Sequence, residues 1–233
     1  MIYYDFHIHS ALSPCSDKDM TPNNIVNMAQ IIGLDAIAIT DHNSIGNVRA
    51  AMKIGDAVGV KVVPGMEIET AEEIHVIALF NTIEAAEEAA KEVYRALPNI
   101  KNRTEIFGNQ LLMDEDDNIV GEEEKLLVSP TNLSIEKLLE LVKSVGGLFY
   151  PAHVDRHSYS ILTNLGFIPE ELKIDGIEIS KKVEDIQAYL DNRPDLKGYR
   201  VLRNSDAHYL ADIAEKDAFL TENSIDELFN RRV

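Results

Sequence analysis

Histidines and acidic residues fall at spacings in this 233-residue sequence that could hold metal ions. Six of the seven histidines lie at or near predicted strands, and His7 and His9 form an H-x-H pair on the first of them. Residues i and i+2 of a strand point to the same face, so these two imidazoles can share one ion. Asp206 and His208 repeat the spacing near the other end of the chain, in the segment NSDAH.

Further donors lie where other predicted strands begin or end. They are His42 in TDHN, Glu67 in GMEIE, His75 in EIHV and His153 in PAH. One such histidine alone is more often packed or hydrogen-bonded than bound to metal. Together, imidazoles and carboxylates without a set of thiolates suit Zn, Mn or Fe(II), and they outnumber the ligands of one tetrahedral ion. The sequence therefore predicts a site of two to three divalent ions.

The elements that must position these donors alternate between strand and helix. Strands are predicted at residues 2–8, 34–40, 60–67, 74–80, 149–153, 176–179 and 199–205. Helices are predicted at residues 22–32, 48–58, 83–97, 135–145, 183–190 and 225–231. This alternation favours a parallel α/β fold, in which the carboxyl ends of the strands meet at one rim and bring distant ligands together.

Residues 98–130 interrupt the alternation. Their acidic clusters DEDDN and GEEEK flank an apolar pair without a strong period, so we interpret the segment as an insertion that forms a polar hairpin or loop. We expect one domain over residues 1–233, with the insertion as a flap that limits substrate size at the active-site rim. A place at the opposite rim, a role in oligomerisation and a solvated loop are the alternatives.

Composition narrows the class of protein. Lys and Arg total 22 against 40 Asp and Glu, and the formal charge of −18 favours a small anionic substrate over long nucleic acid. No stretch approaches the roughly 18 apolar residues of a membrane span, and the N-terminus MIYYDFHIHS carries no secretory signal. The single cysteine excludes an internal disulfide. We therefore expect a cytoplasmic protein without a membrane partner, and the sequence leaves its oligomeric state open.

The motifs DFHIHS, ITDHN, GMEIE, PAH and NSDAH, in this order, resemble those of the PHP family, the metal-dependent phosphoesterases named for polymerases and histidinol phosphatase. The resemblance spans residues 1 to about 210 apart from the insertion. We expect a stand-alone member of the family, because no polymerase sequence follows. The resemblance implies an α/β fold: a distorted seven-stranded (β/α)7 TIM-like barrel with up to three divalent metal ions.

The resemblance also assigns metal ligands. The first ion would be held by His7, His9, Glu67 and Asp206. Glu67 would bridge to a second ion, held by His75 and His153. The third ion would be held by His42 and His208 with one residue from the loop after the first strand.

That loop residue and the arginines near the site are assigned by their positions in the sequence. Counting back from Thr21-Pro22 places Asp17 at the ligand position, with Asp19 as the alternative and Cys15 close by. Arg156 and Arg203 are the candidates for binding the phosphate of a substrate, and a surface ion pair is the alternative for each.

This arrangement predicts phosphoryl transfer to water. Two divalent ions that share a hydroxide lower the pKa of water from about 15.7 toward about 7, and little covalent protein chemistry is needed. Glu67, Asp206 and His208 are expected closest to the chemistry. The leading hypothesis is hydrolysis of small phosphomonoesters.

Three alternatives to this hypothesis stay open. The first is an exonuclease or phosphodiesterase that acts on short oligonucleotides or nucleoside bisphosphates. The second is an amidohydrolase, because those barrels also begin with an H-x-H strand. The third is a non-catalytic metal-binding module.

Overall fold

All seven strands predicted from the sequence are present. The computed structural model describes residues 1–230. Its strands are β1 (Ile2–Ile8), β2 (Ala36–Ile39), β3 (Lys61–Glu69), β4 (His75–Leu79), β5 (Leu111–Met113), β6 (Ile119–Glu122), β7 (Leu148–Pro151), β8 (Ile177–Ser180), β9 (Val201–Asn204) and β10 (Phe219–Leu220). Strands β5, β6 and β10 are additional to the seven.

All six predicted helices are present within the described residues, together with two additional ones. The helices are α1 (Pro22–Ile32), α2 (Val48–Val58), α3 (Ile83–Ala96), α4 (Thr104–Phe107), α5 (Ile135–Ser144), α6 (Ile161–Asn164), α7 (Ile186–Asp191) and α8 (Asp226–Asn230), of which α4 and α6 are additional. At the start of α1 the hydroxyl of Thr21 accepts the N–H of Asn24, and Gly33 ends the helix with a φ of 86°. Arg231, the last residue of the predicted final helix, lies outside the described residues. Within residues 1–230 no helix has the length and apolar composition needed to cross a bilayer.

The main sheet is mixed, not parallel throughout. Its strand order is β10-β1-β2-β3-β4-β7, and β8 and β9 form a parallel pair. Strands β1, β2 and β3 are parallel, but β4 is antiparallel to both β3 and β7. The expectation of an all-parallel arrangement is therefore wrong for β4, because the turn between Glu69 and His75 is too short for a parallel crossover. As a result, β4 begins at the edge where β3 ends.

The segment that follows β9 brings the sheet round to β1. Ala207 donates its N–H to the carbonyl of His7 at 3.2 Å and accepts the N–H of His9 at 2.9 Å. The buried carboxylate of Asp5 accepts hydrogen bonds from the hydroxyl of Ser205 at 2.6 Å and the N–H of Ala214 at 2.9 Å. The sheet is therefore strongly curled, and the expected distorted TIM-like barrel is confirmed.

A register shift in β1 sets the direction of its two histidines. The pairing of β1 with β2 shifts between Asp5 and Ile8. Phe6 packs with the residues inside the curled sheet, whereas Ile8 packs with the layer of helices outside it. A regular strand would point both residues to one face, so the shift has the effect of a β-bulge. Because Ile8 faces the helices, its neighbours His7 and His9 face the interior.

The insertion is held against the rim at which β1 and β2 end. Asn47 Nδ2 donates to the carbonyl of Leu111 at 3.0 Å, and Asn47 Oδ1 accepts the N–H of Met113 at 2.8 Å. The N–H of Leu111 donates to the carbonyl of Ala11 at 2.9 Å. Asn43, directly after His42, donates through Nδ2 to the carbonyl of Leu127 at 2.7 Å. The β5–β6 hairpin therefore lies at the rim that carries His9 and His42, not at the opposite one.

Candidate metal centre

Two buried histidines at the end of β1 converge with Glu67 of β3 and with Asp206, which follows β9. The Nε2 atoms of His7 and His9 are 3.1 Å apart, and Asp206 Oδ1 lies 3.2 Å and 3.1 Å from them. The two carboxylate oxygens of Glu67 lie 3.3 Å from the same two nitrogens. His7 and His9 are fully buried. The structure thus brings together all four residues expected at the first ion.

Glu67 lies at the middle of the remaining histidines. Its Oε1 is 2.9 Å from Nδ1 of His75 and 3.3 Å from Nε2 of His153, and its Oε2 is 3.0 Å from Nδ1 of His42. The antiparallel pairing of β3 and β4 explains the contact with His75, which begins β4 beside the end of β3. One carboxylate therefore contacts five histidines, including His7 and His9.

The distances between these donor atoms suit bound metal ions. Nitrogen and oxygen ligands lie about 2.0–2.2 Å from Zn²⁺, which places two ligands of a tetrahedral ion roughly 3.3 Å apart. The Nε2 atoms of His7 and His9 lie 3.1 Å apart and 3.1–3.3 Å from carboxylate oxygens of Glu67 and Asp206. Imidazole and carboxylate are also the donors that Zn, Mn and Fe(II) accept. The residues present therefore fit divalent ions.

A third set of donors lies nearer the surface, and we name it the outer group: His9, His42 and His208. One ring nitrogen from each lies within 4.8 Å of the others. The side chain of His208 is 24% exposed, whereas that of Glu67 is 1% exposed. His208 is therefore the member of the outer group closest to solvent.

Hydrogen bonds behind the rings orient the two histidines of β1. Nδ1 of His7 lies 2.9 Å from Oε2 of Glu178, so this nitrogen carries the hydrogen and leaves Nε2 free for a metal. Nδ1 of His9 lies 3.0 Å from Oγ of Ser13, which donates in turn to Oδ1 of Asp41 at 2.7 Å. In both rings the Nε2 lone pair therefore points into the centre.

Neighbouring buried charges shift the pKa values of Glu67 and His7. Burial alone would raise the pKa of Glu67, but the rings of His75, His7 and His42 hold it well below its usual range. Burial would lower the pKa of His7, but Glu178 and two further carboxylates raise it well above its ordinary value. The carboxylate of Glu67 is thus negatively charged and can bind a cation. A metal ion that binds to the ring of His7 would displace a proton from that ring.

Two candidate ligands adopt an unusual backbone conformation. His153 has a φ of 30° and Asp206 a φ of 53°, in the region that residues with a Cβ rarely adopt. Such conformations persist only where surrounding contacts enforce them, and they concentrate at functional sites. Both residues directly follow strands, where a left-handed turn directs the side chain into the centre.

The loop after β1 carries an exposed cysteine, Cys15, and two aspartates. Partial burial acts to raise the pKa of Cys15, although the residue keeps an exposed face, and hydrogen bonds with His208 and His42 lower it to about 6. Asp17 Oδ1 accepts the N–H of Asp19 at 2.8 Å. Among the residues described, neither of these two aspartate side chains contacts a candidate histidine. The structure thus does not bring Asp17 into the outer group.

The two candidate arginines differ in position. Arg156 contacts Asp206 through Nη1, and its Nε is buried without a hydrogen-bond partner. Arg203 instead binds Asp217 at 3.1 Å and two backbone carbonyls at 3.3 Å. Within the described part of the chain Arg203 contacts no candidate ligand. The structure therefore brings Arg156 to the centre and leaves Arg203 in contacts that connect β9 to its neighbours.

Three supporting residues were missed as parts of the site by sequence reasoning. Glu178 stands between Ile177 and Ile179 in β8, and an acid inside a buried apolar strand is a signal that could have identified it. Asp41 lies in the motif ITDHN and Ser13 three residues after DFHIHS, but their action on His9 depends on contacts between separate loops. These residues orient candidate ligands without themselves facing the centre.

Comparison with known sequences places the chain among related proteins. The family model described as PHP domain matches residues 5–165. An uncharacterized protein of Methanocaldococcus jannaschii is 29% identical over 184 residues, which cover 75% of this chain and 79% of that protein. A phosphoribosyl 1,2-cyclic phosphate 1,2-diphosphodiesterase of Eggerthella lenta is 31% identical over 80 residues, or 32% of this chain and 29% of that protein. A 5′-3′ exoribonuclease of Haemophilus influenzae is 33% identical over 79 residues, 33% of this chain and 28% of that protein.

Solved structures share the fold. The lesion-specific endonuclease Q of Pyrococcus furiosus superposes with a TM-score of 0.70 at 19% identity over 98% of this chain, which spans about half, 55%, of that one. A proposed metal-dependent phosphoesterase of Bifidobacterium adolescentis gives a TM-score of 0.60 at 18% identity over 99% of this chain and 96% of that one. Because the family model covers more than half of the sequence, including the strands that carry His7, His9, Glu67 and His75, the chain belongs to the PHP domain family.

Proposed function

We propose that the protein hydrolyses phosphate esters, with small phosphomonoesters as substrates, at a centre of two to three divalent ions. The observation that carries this proposal is the position of Glu67, whose oxygens lie within 3.3 Å of ring nitrogens from five histidines. A carboxylate shared in this way suits a bridge between two ions. Zn, Mn or Fe(II) bound there would supply an activated water and polarise the phosphoryl group.

The residues of the chain would bind and orient the ester. Arg156 lies beside Asp206, so a phosphate on its guanidinium would lie at the candidate ligands. The Nη1 atom of Arg156 already contacts Asp206, so this arginine would hold the phosphate beside a candidate ligand. Glu67, Asp206 and His208 would hold the ions, and Asp206 is the ligand that contacts this arginine.

Charge supports a small substrate. The chain carries a formal charge of −18, and the insertion exposes Asp116, Glu122 and Glu124. Exposed carboxylates repel an extended polyanion more than a compact monoester, because each added phosphate adds another repulsive interaction. We therefore propose a small phosphorylated compound as the partner, and not long nucleic acid.

A second candidate is an exonuclease or phosphodiesterase that acts on short oligonucleotides or nucleoside bisphosphates. It is favoured by the names of two partial relatives, a cyclic phosphate diphosphodiesterase and an exoribonuclease. An amidohydrolase is a weaker candidate, favoured by a neighbour of that name from Chromobacterium violaceum, with a TM-score of 0.62 at 17% identity over 94% of this chain and 92% of that one.

A substrate panel tests these proposals. The protein, loaded with Mn²⁺ or Zn²⁺, is assayed on phosphomonoesters, phosphodiesters, a nucleoside bisphosphate, a tetranucleotide and an amide, with Glu67→Ala as the control for contaminating enzymes. Faster turnover of monoesters supports the proposal. Faster turnover of the diester or oligonucleotide supports the second candidate, whereas turnover of the amide alone overturns both.

A further inference from the structure

We propose that Tyr159 positions the ring of His75 for metal binding and closes the loop that carries His153 and Arg156. This inference rests on the proposed function and adds to its metal centre a positioning residue that lies outside the sequence motifs. It assigns to an aromatic ring the orienting role that hydrogen bonds have at the histidines of β1.

The ring of His75 is held differently from those of His7 and His9. Its Nδ1 lies 2.9 Å from Oε1 of Glu67, so this nitrogen faces the centre. Its Nε2 lies 3.8 Å from Oε2 of Glu69, which is too long for a hydrogen bond. The rings of His7 and His9, by contrast, are each held by a hydrogen bond at Nδ1. Another contact therefore has to set the plane of the His75 ring.

Tyr159 supplies that contact by stacking. The two ring centroids are 4.5 Å apart, and the rings are inclined by only 18°. The rings of His42 and His153 meet His75 at 62° and 63°, with centroids 5.4 Å away. A stacked partner limits the rotation of the imidazole, because turning the ring would break the contact between the two faces. The position of Tyr159 thus fixes where Nδ1 of His75 points.

The backbones of the same two residues close the loop after β7. At the start of the loop the N–H of Ala152 donates to the carbonyl of His75 at 2.9 Å. At its end the N–H of His75 donates to the carbonyl of Tyr159, also at 2.9 Å. His153 and Arg156 lie between these two points. Tyr159 therefore holds one candidate ligand through its ring and closes the segment that carries another.

The backbone of Tyr159 is in a strained conformation. Its φ of 55° lies in the left-handed region, which bulky residues rarely adopt and which glycine adopts without steric cost. The residue is 47% exposed, so burial in the core does not account for a tyrosine at this position. Strain of this kind concentrates at functional sites. Its presence here fits a ring that serves the metal centre.

Substitutions at this position separate the ring from the backbone. Tyr159→Phe keeps the ring, Tyr159→Ala removes it and keeps the strain, and Tyr159→Gly removes both. The affinity for Zn²⁺ is measured by competition with a chromophoric chelator, and the thermal midpoint is measured on metal-free protein. Glu73, an exposed residue with a φ of 58°, provides the matched controls Glu73→Ala and Glu73→Gly.

The two measurements should respond to different substitutions. Tyr159→Phe should bind Zn²⁺ as the wild type does, whereas Tyr159→Ala and Tyr159→Gly should each bind one ion about tenfold more weakly. The midpoint of Tyr159→Gly should exceed that of Tyr159→Ala by roughly 2–4 °C, because only glycine relieves the strain. The Glu73 variants should show the same difference in midpoint with the affinity of the wild type.

A double variant tests whether the ring acts through His75. His75→Ala removes the ligand, so adding Tyr159→Ala should weaken binding by less than about twofold further. Wild-type affinity in Tyr159→Ala, or an equal loss in both backgrounds, would overturn the role of Tyr159 and leave the proposed function standing. Failure of the wild type to bind any Zn²⁺ would overturn the proposed centre and this role together.

Discussion

Glu178 lies directly behind His7, with its two carboxylate oxygens 3.0 Å and 2.9 Å from Nδ1 of the ring. The same carboxylate accepts the N–H of His153 at 2.9 Å and a hydrogen from Nδ2 of Asn204 at 2.7 Å. One side chain of β8 thus orients a candidate ligand on β1 and fixes the backbone of another after β7. Such outer partners commonly decide how tightly a metal is held.

Replacing Glu178 with glutamine should therefore weaken metal binding about 10- to 100-fold. The amide keeps the size of the side chain but removes the charge, and its NH₂ group would oppose the N–H of His7. Competition with a chromophoric chelator measures the affinity, and Glu184→Gln, an exposed glutamate, is the control. Equal affinities in both variants would show that His7 needs no partner.

Glu67→Ala should cost more than the loss of any single histidine, because its carboxylate contacts five of them. We expect activity to fall by about 10³-fold or more, with at least one ion lost per chain. Elemental analysis and initial rates measure the two effects. The control is Glu69→Gln on the same strand, 3.8 Å from His75, which should retain the ions. Near-normal turnover of Glu67→Ala would refute the bridging role.

Ser13→Ala should disturb the orientation of His9. The hydroxyl connects the ring to Asp41, and its loss leaves a buried N–H and a buried carboxylate short of partners. We expect about tenfold weaker metal binding and a loss of roughly 1–3 kcal/mol in the free energy of unfolding. Ser16→Ala is the matched control, because that buried hydroxyl has no hydrogen-bond partner. Chelator competition and urea denaturation that leave both variants alike would argue against the relay.

Arg156→Ala and Arg203→Ala should affect different properties. Removal of Arg156 should lower kcat/KM for a phosphomonoester roughly 10- to 150-fold, the value of a charged hydrogen bond of about 1.5–3 kcal/mol. Arg203→Ala should leave kcat/KM near the wild type and lower the midpoint of thermal unfolding, because its guanidinium holds Asp217 and two backbone carbonyls. If Arg203→Ala lowers kcat/KM while Arg156→Ala lowers only the thermal midpoint, the phosphate contact belongs to Arg203.

Removal of metal should destabilise the protein. A ligand that binds the native state alone at 100 times its Kd stabilises it by about 2.7 kcal/mol per site, so a chelator should lower the thermal midpoint by several degrees. Added Zn²⁺ should restore it. Differential scanning calorimetry measures the shift, and Glu67→Ala should respond less than the wild type. A chelator without effect on the wild type would mean that no tightly bound ion contributes to stability.

Sequence patterns predicted the strands and the central donors because both depend on local rules. The succession of strand-length apolar runs and helical patterns located β1 to β4. Residues at the ends of these strands meet at one rim regardless of the loop conformations. The direction of β4 depended on the length of one turn, which strand patterns do not include. Asp17 lies in a loop, where backbone turns that no periodicity describes decide which side chains face the histidines. Glu178 meets His7 across 171 positions, so only the folded chain reveals the pair.

The reversed direction of β4 affects how the centre assembles during folding. Glu69 and His75 pair across a short hairpin, so Glu67 and His75 come together at a small cost in loop-closure entropy. His9 meets Asp206 only after 197 positions of chain have been brought together. Contacts local in sequence form fast and distant ones slowly. We therefore expect the half of the centre around Glu67 to form first, and Asp206 and His208 to join it when the segment after β9 docks beside β1.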